Sequence, residues 1–150
     1  MTGLFFEDFK IGATREAGSR TVTREEILEF ARKFDPQPFH VDEEAAKRSQ
    51  FSGLIASGWH TAALCHGILV EAFLGEDSGS MGSPGVDELR WLKPVRPGDT
   101  LTVRIEVLEV RSSRSKPGGL VKLRYGMRNQ NGEEVMTMIA NGFFRRRGLA

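Results

Sequence analysis

The stretch SGWHTAALCHGILVEAFLG, which runs from Ser57 to Gly75, decides the fold of this 150-residue chain. Ser57 is a favourable helix N-cap and Gly75 a favourable stop, so the stretch predicts one helix over residues 58–74. Apolar side chains occupy most of its circumference, which is typical of a helix buried in a core. A helix of about 17 residues is about 25 Å long, enough for a sheet to wrap around it.

The sequence after this helix alternates apolar and polar residues, as strands do. The dipeptide Asn131-Gly132 is a strong signal for a tight hairpin between two strands. Because helices come first and long strands come last, the pattern predicts the α+β class, with one curved antiparallel sheet around the central helix. The predicted strands cover residues 86–92, 101–107, 120–128 and 133–145.

A shorter helix precedes the central one. Thr23 and Glu26 form a capping box, and Ile27, Phe30, Ala31 and Phe34 recur on one helical face. Pro36 ends this helix near Phe34, so we expect Asp35 just past the helix end.

Residues 35–40 contain Pro36 and Pro38, which restrict the backbone. We therefore predict a stiff extended loop over residues 35–40. Asp42 is then a good N-cap for a short helix over residues 43–49. The glycine- and serine-rich segment at residues 75–85 is either a mobile lid that contacts a ligand or a plain connector.

Composition predicts one domain over residues 1–150 and excludes some classes of function. Twenty-one basic and 20 acidic residues leave a net charge of +1, which is too small a field for a nucleic-acid-binding protein. The N-terminal segment lacks the basic region of a signal peptide, and charged or polar residues interrupt the central helix, so no membrane span is predicted. The lone Cys65 fits a reducing cytoplasm.

Asp35 and His40 are the candidate acid/base pair. Imidazole titrates near neutrality, and a carboxylate beside it can share a water or hold the ring in one tautomer. The spacing alone is also compatible with Asp35 as a helix-end residue and His40 as a packed loop residue.

The surrounding sequence resembles the MaoC-like dehydratase family. The residues that carry this resemblance are FDPQPFHVD at positions 34–42, Ala45, and IASG at positions 55–58. The intervals from aspartate to histidine and from histidine to glycine match those of the (R)-specific enoyl-CoA hydratases. The resemblance implies a hot-dog fold, a homodimer that can pair further, and a cytoplasmic lyase acting on a coenzyme A thioester.

The resemblance also implies roles for individual residues. Asp35 and His40 would activate a water that adds to a trans-2-enoyl thioester. Apart from the resemblance, hydration needs an oxyanion partner, and we expect the free N–H of Gly58 at the start of the central helix to donate to the thioester oxygen. Three candidate oxyanion or substrate-binding residues depart from the family pattern: Gln37 stands for the usual asparagine, Ser57 for a frequent histidine, and His66 for a serine near the substrate.

No cofactor and no metal are expected. His60 and His66 do not share a helical face as i, i+4 ligands would, and Cys65 adds no second thiol. Two alternatives to a hydratase stay open: a hot-dog thioesterase, and a noncatalytic acyl-CoA-binding module in which the changes at Gln37, Ser57 and His66 have removed turnover.

Overall fold

The computed structural model describes residues 3–148, so the ends of the expected 1–150 domain lie outside the described residues. A 3₁₀ turn (Phe6–Asp8) precedes the other elements. The helices are α1 (Arg24–Phe34), α2 (Pro38–Val41), α3 (Glu43–Arg48) and α4 (Gly58–Leu69), which continues as a π-helical segment (Val70–Leu74). The strands are β1 (Thr14–Thr21), β2 (Gly85–Trp91), β3 (Thr100–Ser112), β4 (Gly118–Arg128) and β5 (Glu134–Arg145).

The strands among residues 3–148 form one antiparallel sheet in the order β1-β3-β4-β5-β2. The helix α4 packs against β1 and β3, and buried side chains of the helix and the sheet share one apolar core. A long helix held by such a sheet is the predicted α+β hot-dog fold, which is therefore confirmed.

Buried apolar side chains alternate with more exposed ones along the central strands, and the buried ones form part of the core. In β3, Leu101, Val103 and Ile105 are almost fully buried, while the residues between them are more exposed. Leu69 and Cys65 meet this layer from the helix and are equally buried. Burial raises the pKa of the Cys65 thiol to about 12, so Cys65 is a small apolar core residue, as expected.

The predicted caps and hairpin are confirmed. The Thr23 hydroxyl accepts from the Glu26 N–H while the Glu26 carboxylate accepts from the Thr23 N–H, and Asp42 accepts from two N–H groups at the start of α3. Gly132 has a φ of +75°, the left-handed conformation that the turn between β4 and β5 requires.

The predicted extended loop over residues 35–40 was wrong for residues 38–40, which belong to the helical turn α2. Pro38 occupies the first helical position, where its fixed φ favours a helix and its missing N–H costs nothing. The predicted apolar stripe of α1 was also wrong at its end, because Phe34 is 69% exposed.

Two further features differ from the sequence prediction. The strand β1 was not predicted, because its residues TREAGSRT are polar and lie at a largely exposed sheet edge. The central helix is not buried all round: Trp59 is 59% exposed, and Ala63 and His66 on the same side are also exposed. One face of α4 is therefore open in a single copy of the chain.

The segment at residues 75–85 is hydrogen-bonded to its neighbours. The Gly79 N–H donates to the Leu4 carbonyl at 2.9 Å, and the Met81 N–H donates to the Phe143 carbonyl at 2.7 Å. These bonds attach the segment to the N-terminal residues and to the end of β5. Among residues 3–148, no helix is both long and apolar enough to cross a membrane.

Candidate active site

Asp35 and His40 lie together at the junction of α1 and α2. The Asp35 N–H donates to the Ala31 carbonyl at 2.8 Å, which closes the end of α1 and fixes the backbone of Asp35. The turn α2 brings His40 back toward it, so that His40 Nε2 is 3.3 Å from Asp35 Oδ2. The structure therefore brings the predicted acid/base pair into contact.

The backbone carbonyl of Ile55 selects the tautomer of His40. It lies 2.8 Å from His40 Nδ1, and because a carbonyl can only accept, Nδ1 carries the proton. With Nδ1 protonated, Nε2 is the ring nitrogen that faces the Asp35 carboxylate. This arrangement suits a water molecule that bonds to both groups.

Gln37 and Ser57 hold the Asp35 carboxylate. Gln37 Nε2 donates to Asp35 Oδ1 and Ser57 Oγ donates to Oδ2, each at 2.7 Å. Burial raises the pKa of Asp35, but the hydrogen bonds from Gln37 and Ser57 and the charge of His40 outweigh it, so that its pKa is lowered overall. Asp35 is therefore ionised at neutral pH.

Ser57 connects this carboxylate to the central helix. Its side chain is fully buried, and its Oγ also accepts from the Trp59 N–H at 3.3 Å, as the predicted N-cap of α4 does. One hydroxyl thus orients Asp35 and caps α4, so the position of the carboxylate is tied to the start of that helix.

Gly58 and His40 line the same cavity of about 380 Å³. The indole of Trp91 packs over Gly58 so closely that a Cβ on this residue would lie 2.5 Å from Trp91 Cε2. Glycine is therefore needed here for a contact with Trp91, which the sequence did not indicate. The Gly58 N–H is among the first N–H groups of α4, which have no acceptor within the helix.

His66 does not join Asp35 and His40. It lines a larger cavity of about 540 Å³ between α4, the 80–83 segment and the inner face of the sheet. Trp59 lines this larger cavity, Trp91 lines the smaller one, and the two indoles meet edge to face with centroids 5.1 Å apart. The aromatic pair lies between the cavity that His40 lines and the more apolar cavity.

Sequence reasoning missed two participants in this site. The Ile55 carbonyl is a backbone group 15 residues from His40, and no side-chain pattern identifies it. Trp91 was interpreted as a core or interface aromatic, and its contact with Gly58 depends on the pairing of β2 with β5.

His60 is buried without complete hydrogen bonding. Its ring stacks on Phe30 with centroids 4.7 Å apart, and its Nδ1 has no partner among residues 3–148. Burial lowers the pKa of His60, and the charge of Glu26 offsets this only in part. The expectation of a packing residue holds, but the expected hydrogen bond is absent at Nδ1 within the described part of the chain.

We expect His60→Phe to raise the free energy of unfolding by about 1 kcal/mol, because an unsatisfied buried polar atom is removed while stacking on Phe30 is kept. The folded state favours neutral His60, so its stability is intact above the ordinary pKa of 6.5 and falls as the pH drops through the lowered folded value. Urea denaturation at several pH values would measure both effects. An identical acid-dependent decrease in wild type and variant would contradict this account.

Comparison with known proteins identifies the family of this chain. The family described as "MaoC like domain" matches residues 8–125. A crystal structure of a MaoC-like dehydratase from Rhodospirillum rubrum superposes with a TM-score of 0.89 at 43% identity, covering 98% of this chain and 100% of that one. The chain belongs to the MaoC-like dehydratase family.

Two curated relatives illustrate the range of this family. An uncharacterized protein of Bacillus subtilis, YdeM, is 36% identical over 118 residues, covering 78% of this chain and 82% of the relative. The 3-hydroxybutyryl-CoA dehydratase of Methylorubrum extorquens is 32% identical over 115 residues, covering 75% of this chain and 69% of that enzyme.

Proposed function

We propose that the protein is an acyl-CoA hydratase or dehydratase that interconverts a trans-2-enoyl-CoA and a 3-hydroxyacyl-CoA. The observation that carries the proposal is the pairing of His40 Nε2 with Asp35 Oδ2 at 3.3 Å, with the Nδ1 proton held by a backbone carbonyl. Membership of the family and the similarity to a 3-hydroxybutyryl-CoA dehydratase support it.

In the hydration direction, a water donates to His40 Nε2 and to Asp35 Oδ2. As its oxygen bonds to the β-carbon of the enoyl group, the pair takes one proton from the water. The pair returns one proton to the α-carbon, so it ends in its starting protonation state. Because Asp35 is ionised and its carboxylate lies beside His40 Nε2, the pair can accept the proton before it donates one.

Negative charge builds on the thioester oxygen between these two proton transfers. The N–H of Gly58 and the positive end of the α4 dipole are suited to stabilise it, and Gly58 lines the same cavity as His40. A donor of this kind is worth about 3 kcal/mol in the transition state. Gln37 and Ser57 act in this scheme as positioning residues for Asp35.

Loss of the enoyl-thioester absorbance with a panel of trans-2-enoyl-CoA substrates tests the proposal. Hydration by the wild-type protein is the expected result. Release of free coenzyme A thiol without hydration would identify a thioesterase instead. Acyl-CoA binding without either reaction would indicate a noncatalytic binding module.

We also propose that two copies pair through β2. This strand is at one edge of the sheet, and the apolar residues Val86, Trp91 and Leu92 on or beside it are each about half exposed. The strand at the opposite edge, β1, is mostly polar. An unpaired strand edge flanked by apolar side chains favours pairing with a second copy, which would also cover the open face of α4.

Val86→Lys is expected to convert the dimer to a monomer, because a charge would be buried where β2 meets its copy. Glu16→Lys places the same side chain on the exposed β1 edge and is the matched control. Molar mass from light scattering would show a dimer for the wild type and for the control. A wild-type monomer, or a dimer that persists in Val86→Lys, would contradict this interface.

A further inference from the structure

The larger cavity has apolar walls supplied by the central helix and three strands. Val70, Leu89, Leu123, Met138 and Phe144 contribute to these walls, and the volume of about 540 Å³ exceeds that of the cavity beside the acid/base pair. A cavity of this size and character suits an acyl chain. Two of the polar side chains in its lining, Tyr125 and His66, have no hydrogen-bond partner among residues 3–148.

Tyr125 is the first of these side chains. It lies on β4 among the inward-facing residues and is only 6% exposed, yet its hydroxyl makes no hydrogen bond with any of residues 3–148. Its oxygen is not one of the fully buried polar atoms that lack a partner, so the hydroxyl is accessible from the cavity. Burial raises the pKa of Tyr125, so the hydroxyl stays protonated at neutral pH and can donate to an oxygen in the cavity.

His66 is the second. It follows Gly58 by eight positions on α4, which places it about 12 Å further along the helix axis. Its imidazole lines the same cavity as Tyr125 and has no hydrogen bond or ion pair with the described residues. An imidazole in this position can donate a hydrogen bond to an oxygen in the cavity.

The two cavities meet at the first turn of α4. Gly58 lines the smaller cavity and its neighbour Trp59 lines the larger one, with Trp91 in contact with both residues. An acyl group whose thioester oxygen is bound by the Gly58 N–H would pass this aromatic pair and extend along α4 toward His66.

We propose that the acyl substrate carries a carboxylate at its distal end, bound by the Tyr125 hydroxyl and the His66 imidazole. The inference rests on the proposed hydratase function and adds the class of acyl group. A saturated hydrocarbon chain offers no acceptor to the Tyr125 hydroxyl or to the His66 imidazole, whereas a carboxylate about 12 Å from the thioester accepts from both.

The test compares two series of trans-2-enoyl-CoA substrates of matched chain length, one ending in a methyl group and the other in a carboxylate. The wild-type protein is expected to prefer the carboxylate series in kcat/KM at medium chain length. Tyr125→Phe and His66→Leu are each expected to lower kcat/KM for that series by about 10- to 100-fold, the value of a hydrogen bond to a charged group. The loss should be at least about tenfold larger for the carboxylate series than for the methyl series, because only the carboxylate accepts hydrogen bonds from these two side chains.

Calorimetry with two saturated acyl-CoA ligands of equal length, one ending in a methyl group and the other in a carboxylate, tests the inference without turnover. Absence of hydration with either series would contradict the proposed function alone, and tighter binding of the carboxylate-ended ligand, lost in Tyr125→Phe, would still support the inference. Equal binding of the two ligands would overturn it. Equal losses in both series for either variant would also overturn it, because the cavity would then receive a part of the substrate common to both, such as the pantetheine arm.

Discussion

Asp35→Asn and His40→Ala are each expected to lower kcat/KM for hydration of a trans-2-enoyl-CoA by at least about 100-fold. Asparagine keeps the size of the carboxylate but cannot accept a proton at neutral pH. Alanine at position 40 removes Nε2, which lies 3.3 Å from Asp35 Oδ2, and with it one of the two acceptors for the water. The rate of loss of enoyl-thioester absorbance measures the effect.

A matched control separates chemistry from folding. Asp42→Asn makes the same chemical change at the N-cap of α3, where asparagine caps about as well as aspartate. This variant should keep its activity, and all variants should keep the circular dichroism of the wild type. If Asp35→Asn retained more than about a tenth of the wild-type activity, Asp35 would have no role in proton transfer.

Leu69→Ala is expected to lower the free energy of unfolding by about 2–5 kcal/mol. Leu69 is the last residue of α4 before the π-helical segment and is 1% exposed within the apolar core. Removing its branched end loses buried apolar area and leaves a cavity that the helix and sheet around it fill only in part. Urea denaturation, followed by circular dichroism, would measure the change.

Leu69→Met is the control for this effect. Methionine has a similar volume and flexible packing, so the expected loss is below about 1.5 kcal/mol. If both substitutions had the same small effect, Leu69 would not be an essential part of the core.

The elements that sequence predicted correctly are those with strong local signals. The Thr23 capping box, the Ser57 cap and the Asn131-Gly132 turn each depend on residues within a few positions of one another. Alternation in β3 is regular because one side of this strand faces the core and the other faces away. Such signals require no knowledge of distant contacts.

The elements that were missed depend on distant contacts or on exposure. The edge strand β1 is held by hydrogen bonds to β3, and its exposed polar residues show no apolar alternation. The helical turn at Pro38 was interpreted as an extended loop, because proline is compatible with both conformations.

For the candidate site, the sequence predicted which residues take part but not how they are arranged in space. Asp35 and His40 do meet, and Ser57 and Gln37 contact Asp35. His66 lies in the other cavity. Hydrogen bonds such as that between Ser57 and Asp35, 22 positions apart, follow from the packing of α1 against α4, which no local pattern specifies.

The burial of Cys65 has a practical consequence for labelling. It is the single cysteine of the chain, it is fully buried, and its pKa of about 12 leaves almost no thiolate at neutral pH. Maleimide reagents attack the thiolate, so the folded wild-type chain should not react with them. A cysteine introduced at an exposed position such as Glu76 could then carry a spectroscopic probe at one defined site, with no need to replace a core residue first.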